Sequence, residues 1–232
     1  MQSVERELPE AFDRIARVLL AERTVGGALD RICRLALHTV DGCDHAGSSL
    51  VARGRISTPA GTDAVAHRLD KVQERARRGP CLEAISEQRI IESADLGQES
   101  RWPEFTGEAL RLGVHSSLSF QLPGGDDEHS ALNLYSTKPF GFTEHSRIVG
   151  GVFAAHAGVA IAAAKQHERS FNLEQALATR DVIGQAKGII MARTGVDADE
   201  AFGLLTHASQ RLNRRLRDVA DDIAHGREPT SM

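Results

Sequence analysis

Aromatic residues are scarce in this sequence: they make up 4% of its 232 residues, with one Trp and one Tyr. That leaves little material for an aromatic cage around a ligand. Cysteine is rarer still, and Cys33, Cys43 and Cys81 are odd in number and free of any Cys-x-x-Cys pairing. Reduced thiols in a cytosol follow, and structural zinc is disfavoured. No apolar run approaches the ~20 residues of a bilayer span. The longest, GVFAAHAGVAIAAA at 151–164, is rich in Ala and Gly and reads as a buried or paired helix. The first residues, MQSVERELPE, mix both signs of charge without an apolar centre, unlike a secretory signal. Cytoplasmic localisation with no membrane partner is therefore expected. The net charge of -4 argues against a broadly basic nucleic-acid binder, so any such role must rest on a local cluster. No Ser-His-Asp order beyond chance, metal-ligand spacing, pair of acids on a glycine turn or cofactor motif stands out. No catalytic residue, metal site or cofactor is assigned, and an enzyme is not expected.

The length suits one large domain or two modest ones. Residues 7–21 place Phe12, Ile15, Val18 and Leu19 at helical spacing, and GGALDRICRLALHTV repeats the pattern with Leu29, Ile32, Leu35, Ala36 and Val40. Short strands are predicted near 46–52 and 55–59, then a charged helix over 63–78. A break at Gly79-Pro80 stops that helix and starts the next. HSSLSFQL alternates Ser116, Leu118, Phe120 and Leu122 with His115, Ser117, Ser119 and Gln121. ALNLYST alternates Leu132 and Leu134 with Asn133 and Tyr135, and PGGDDEHS supplies a hairpin turn between the two. The fold class is α+β, an antiparallel sheet flanked by helices.

The segments GPCLEAI, SADLGQESRWPEF, LGVHSSLSFQL and ALNLYSTKPFGFTEHS follow one another in the order and spacing of bacterial sensory GAF domains. Most of residues 20–165 resembles that family. The resemblance implies a sensor of a small molecule or partner, with the ligand held between a central antiparallel sheet and its covering helices. His115, Ser117, Ser119, Asn133 and Tyr135 then form a candidate sensor pocket. The alternative is that they face solvent or hydrogen-bonded structure, since alternation alone creates one polar face. The ligand is unassigned. STKPFGFTEHSR lacks a clear cyclic-nucleotide signature, Cys81 lacks a bilin-attachment context, and none of the ten His is singled out by spacing as a haem ligand.

Between Thr143 and Pro229 there is no proline, and apolar residues recur at Val152, Ala155, Val159, Ala162, Leu173 and Ala176, with Gln166 and Arg169 in the intervening spacings. This weak heptad suggests a coiled-coil dimer helix; one helix packing on its own sheet is the alternative. The pattern leads into RDVIGQAKGIIMARTG, residues 180–195, where Gly184 and Gly188 lie one turn apart. Each costs a helix roughly 0.5–1 kcal/mol relative to Ala. Packing of another helix, or close approach of another backbone, is therefore expected on that face. The spacing excludes a phosphate loop, and Arg180, Asp181, Lys187 and Arg193 exclude a membrane dimer face. Thr194-Gly195 ends the helix, and Asp197 with Glu200 forms a capping box for the next. That second helix carries Ala201, Phe202, Leu205, Ala208 and Leu212 on one face. Asn213 turns the chain, and a third helix turns Leu216, Val219, Ala220 and Ile223 inward.

Arg180, the Gln185-Ala186-Lys187-Gly188 core, the Ala201-Phe202 pair, Asn213 and Leu216-Arg217-Asp218-Val219-Ala220 resemble the ANTAR domain, the RNA-binding output module of bacterial transcription antiterminators. Gly184 departs from that pattern, where a larger residue is usual, and is read as tolerated beside a crowded face. On this reading Ala186 and Gly188 keep the first helix slim where the other two cross it, while Arg180 and Lys187 stay outward. Residues 171–226 hold seven Lys and Arg against eight Asp and Glu, so the cations matter by concentration. Arg211, Arg214, Arg215 and Arg217 fall within seven residues, suited to phosphates and unstacked bases, or else a solvated helix end. The candidate RNA-binding set is Arg180, Gln185, Lys187, Arg193, Arg211, Asn213, Arg214, Arg215 and Arg217.

The expected organisation is a GAF-like sensor at 1–165 with an N-terminal dimer helix, an ANTAR-like domain at 166–226 whose first helix continues the linker, and a flexible tail at 227–232. The whole resembles a GAF and ANTAR domain regulator of actinobacterial type. That resemblance implies a homodimer acting in transcription antitermination by binding paired stem-loops in nascent RNA, with a small-molecule or protein signal at the sensor. The alternative is a DNA-binding regulator that uses the last two helices as a helix-turn-helix.

Overall fold

The computed structural model describes residues 16–123 and 128–228. The expected helix positions Phe12 and Ile15, the hairpin turn at 124–127 and the end of the tail at 229–232 lie outside the described residues. Contacts divide the chain into two units, the first ending at Glu168 and the second beginning at Arg169. After helical residues 16–20, the first unit contains α1 (Val25–Thr39), β1 (His45–Ala52), β2 (Arg55–Gly61), α2 (Ala64–Ala76), α3 (Pro80–Glu87), β3 (Ile91–Ser93), α4 (Pro103–Arg111), β4 (Ser116–Leu122) and β5 (Glu128–Ser136). Helix α5 (Glu144–Thr194) begins in this unit and ends in the second, which adds α6 (Ala198–Leu212) and α7 (Leu216–Ala224).

The strands form one antiparallel sheet in the order β2-β1-β5-β4-β3. Alternation gives it two faces of different chemistry. On one, Leu118, Phe120 and Leu122 of β4 with Leu132 and Leu134 of β5 meet Leu29, Ile32 and Ala36 of α1 and Phe153, Ala157 and Ile161 of α5. Each large side chain buried there stabilises the unit by roughly 1.5–3 kcal/mol. Helix α5 comes very close to this face because Gly150 and Gly158 lack side chains. A Cβ at Gly150 would lie 2.4 Å from Phe120 Cζ, and one at Gly158 would lie 2.5 Å from Pro123 Cδ.

The opposite face carries Gly47 and Ser49 of β1, Ser117 and Ser119 of β4, and Asn133 and Tyr135 of β5, paired across the sheet as Gly47↔Asn133, Ser119↔Asn133 and Ser117↔Tyr135. It is covered rather than solvated. Helices α2, α3 and α4 lie over it, with a second apolar cluster of Leu69, Val72, Ala84, Trp102, Phe105 and Tyr135. Strand β3 and helix α4 escaped the sequence patterns: three residues are too few to show alternation, and α4 opens on Pro103 after a charged loop.

Because Phe153, Ala154, Ala157, Ala160, Ile161 and Ala164 serve the core, the expected heptad residues Val152, Ala155, Val159 and Ala162 are left exposed on α5. By length and composition α5 could cross a membrane, with an 18-residue window of mean hydropathy 1.6, but half of that window is buried. A core helix has that character too.

In the second unit Ala186 of α5, Leu205 of α6 and Val219 and Ala220 of α7 form the buried centre, flanked by Val182, Ile183, Leu212, Leu216 and Ile223. Asp197 caps α6, its carboxylate accepting from the Asp199 and Glu200 amides at 2.9 Å each. Asn213 ends α6 in the left-handed conformation, φ 50°. Two expectations are corrected. Phe202 faces outward at 43% exposure, since it sits 100° around the helix from buried Ala201. Gly188 is not at the helix crossing: two residues from Ala186 it lies on the far side of α5, and nothing comes within 4 Å of a Cβ built there or at Gly184. Gly184 therefore adjoins open space rather than a crowded face.

Candidate functional site

The polar face of the sheet is built around a residue that strand patterns did not reveal. Ala66, Leu69, Asp70 and Gln73 of α2 follow an i, i+3, i+4, i+7 spacing that turns all four toward the sheet. Asp70 is 1% exposed. Its Oδ1 accepts from Tyr135 Oη at 2.8 Å and from Asn133 Nδ2 at 3.0 Å. Gln73 Nε2 donates to Tyr135 Oη at 3.1 Å, while Gln73 Oε1 accepts from the Cys81 amide at 2.9 Å. Asn133 also donates to Ser49 Oγ, and its Oδ1 accepts from Ser119 Oγ, each at 3.0 Å. Gly47 lies directly beneath: a Cβ there would be 2.5 Å from Asp70 Oδ2.

No cation among the described residues balances Asp70, and burial pushes its carboxyl up to about 7, against the lowering effect of the Tyr135 and Asn133 hydrogen bonds. Burial likewise raises the Tyr135 phenol and the Cys81 thiol, with the Asp70 charge as second cause for each. Cys81 is thus held as a thiol rather than a reactive thiolate. Asp70 Oδ2 and Ser117 Oγ are buried without a hydrogen-bond partner among the described residues. This interior can accept a proton or offer an acceptor at Asp70 near neutral pH. Of the five residues proposed as a sensor pocket, Ser117, Ser119, Asn133 and Tyr135 converge here, and His115 is only half-buried at the start of β4. Asp70, Gln73 and Ser49 were missed; the helical spacing of Asp70 with Ala66 and Leu69 was the signal that would have found the first.

The second unit presents cations rather than a pocket. Arg180, Gln185, Arg193, Arg211, Asn213, Arg215 and Arg217 are exposed. Lys187 is half-buried, with Nζ 5.8 Å from the centre of the Phe202 ring. Arg217 Nη1 donates to Gln175 Oε1 at 2.7 Å, joining α7 to α5 within this unit. Arg214 has a different environment: its guanidinium, 15% exposed, meets Asp222 at 2.7 Å, and Ser209 Oγ donates to its carbonyl at 2.6 Å. It fastens the α6–α7 turn, as does Asn213 through its backbone. Arg180, Arg193, Arg211 and Arg215 are exposed and form no ion pair among the described residues.

The first unit is thus a polar-cored antiparallel sheet under helices, and the second a small helical unit with exposed arginines. Two family models match the chain. The GAF domain model matches residues 22–162 and the ANTAR domain model matches residues 172–223. The chain belongs to the GAF domain family and carries a C-terminal ANTAR domain. GAF domains sense signals, and ANTAR domains are RNA-binding antitermination modules. No curated protein matches the chain. Among solved structures it is similar to free methionine-R-sulfoxide reductase from Neisseria meningitidis in complex with its substrate, at 15% identity and TM-score 0.53, covering 66% of this chain and 87% of that one. It is also similar to the GAF domain of Acinetobacter phosphoenolpyruvate-protein phosphotransferase, at 13% identity and TM-score 0.52, covering 67% and 92%. A bacteriophytochrome from R. palustris aligns at 12% identity and TM-score 0.62, over 89% of this chain and 47% of its own. At such identities these likenesses show the fold alone.

Proposed function

We propose that this protein is a signal-responsive regulator of transcription antitermination that binds paired stem-loops in nascent RNA. The observation that carries the reading is the match of residues 172–223 to the ANTAR domain, on a unit whose Arg180, Arg193, Arg211 and Arg215 are exposed. Guanidinium groups suit RNA because they pair with phosphates and stack on unstacked loop bases. Held RNA stem-loops would keep a terminator hairpin from forming. The chain works without catalysis, in the cytoplasm.

The protein acts as a homodimer in this reading. Ile148 and Val159 of α5 are 58% and 62% exposed, on a face that the sheet does not use. Within the second unit, Leu173, Leu177, Gly184, Gly188 and Met191 are exposed at spacings of three, four and seven residues, a seam a second copy of the helix can approach. The signal enters the first unit around Asp70, Asn133 and Tyr135. It shifts the output only through a difference in affinity for two states of the protein.

The test is titration of the full-length protein with a paired stem-loop RNA, a matched duplex DNA and an unstructured RNA. Selective binding of the stem-loop supports the reading. Preference for duplex DNA assigns α6 and α7 to a helix-turn-helix role instead.

A further inference from the structure

Ion pairing on the first unit is uneven. Arg34, Arg68, Arg89, Arg101, Arg111 and Arg147 each meet a carboxylate. By contrast Arg53, Arg55, Lys71, Arg75, Arg77 and Arg78 are exposed and form no ion pair among the described residues. Three of them, Arg53, Arg55 and Arg77, meet where the turn between β1 and β2 faces the end of α2. Arg53, Arg55 and Arg77 line an open groove of about 760 Å³ there, whose one carboxylate is Glu74. In a chain of net charge -4, three arginines without ion pairs around one groove repel each other and attract a polyanion.

The backbone makes the arrangement specific. Arg53 sits at φ 51° before Gly54 at φ 73°, in a two-residue turn whose first position ordinarily takes Asn or Gly. Arg77 ends α2 at φ 52°, a left-handed cap ordinarily given to Gly or Asn. Both arginines occupy conformations that disfavour a Cβ, and both line the groove. Arg77 Nη2 donates to the Gly54 carbonyl at 3.1 Å, fastening the two turns together.

We propose that this groove binds the phosphate backbone of RNA, with Arg53 and Arg55 as contacts and Arg77 as contact and brace. The inference rests on the RNA-binding reading above and adds a second contact surface, on the sensor unit. A polyanion fits better than a small anion. The cations are spread along an open surface with no enclosed cradle, an arrangement that gains from releasing many counterions.

The experiment compares full-length protein with the Arg53→Gln/Arg55→Gln double variant in RNA titrations at 50, 100 and 200 mM salt (roughly the span over which phosphate contacts are read). Lys138→Gln, an exposed cation outside the groove, is the control, and Trp102 fluorescence during unfolding verifies that each variant is folded. Loss of two phosphate contacts lowers affinity about 25- to 60-fold at 100 mM salt and flattens the salt slope by about 1.4–1.8. The control leaves both unchanged. Wild-type binding matched by the double variant in affinity and slope overturns the groove and leaves the RNA reading intact. An equal loss from Lys138→Gln overturns it too. A wild type that binds no RNA removes the RNA reading and this inference with it.

Discussion

Asp70→Asn should remove a specific pH dependence from the stability of the sensor unit. The carboxyl sits at about 7 in the folded state and near 3.9 in an unfolded chain, so folding raises its affinity for a proton. Between those values the folded protein retains a proton that the unfolded chain has lost. Stability is therefore full below about pH 4, falls as pH rises, and levels off above about pH 7. The separation of about three units corresponds to ~4 kcal/mol across the whole window, of which roughly 2–3 kcal/mol falls between pH 5 and 8. An Asn can still accept from Tyr135 and Asn133 but cannot ionise. Its amide nitrogen replaces an oxygen that has no partner, which shifts stability by an amount independent of pH. The readout is thus the slope. Trp102 is the protein's single Trp, is 4% exposed, and stands in the cluster that contains Tyr135. Its fluorescence during urea unfolding at pH 5, 6, 7 and 8 (about the window set by the two pKa values) reports this unit. The variant should gain on the wild type steadily as pH rises. Parallel stability curves for the two proteins would refute the assignment of a buried, unbalanced carboxyl.

Other substitutions separate fold from function. Gly158→Ala should destabilise the first unit by about 1–3 kcal/mol, because the new Cβ meets the Pro123 ring; an unchanged urea midpoint would contradict the close approach. Gly184→Ala and Gly188→Ala meet open space, so each should stabilise the helix by roughly 0.5–1 kcal/mol while weakening dimerisation in sedimentation experiments. Arg211→Gln with Arg215→Gln should lower RNA affinity and its salt slope without loss of helicity by circular dichroism. Arg214→Gln should instead loosen the second unit, since it leaves Asp222 with only the exposed Arg227 as ion-pair partner; wild-type thermal stability would count against that role.

The sequence made the architecture legible where periodicity was strong. The alternations in β4 and β5, the Gly79-Pro80 break, the Asp197 cap and the Asn213 turn all appear where the residues put them. Strand β3 and helix α4 were too short or too irregular for that signal. The sensor interior was half legible: alternation identified Ser117, Ser119, Asn133 and Tyr135 but could not say what covered them. Asp70 was hidden because a carboxylate on a charged helix reads as solvated unless its register with Ala66 and Leu69 is followed. In the second unit the pattern located the core, yet residues adjacent in sequence point in different directions on a helix. Phe202 and Gly188 were placed inward with their neighbours Ala201 and Ala186 for lack of that geometric check. Arg214, similar in sequence to Arg211 and Arg215, is distinguished only by the fold that brings Asp222 to it.

Recognition of structured RNA by the second unit is tested by a gel-shift titration with the paired stem-loop, duplex DNA and unstructured RNA at low and high salt. Preferential, salt-sensitive binding of the stem-loop is the expected result. Equal affinity for all three nucleic acids, or tighter binding of duplex DNA, would contradict it.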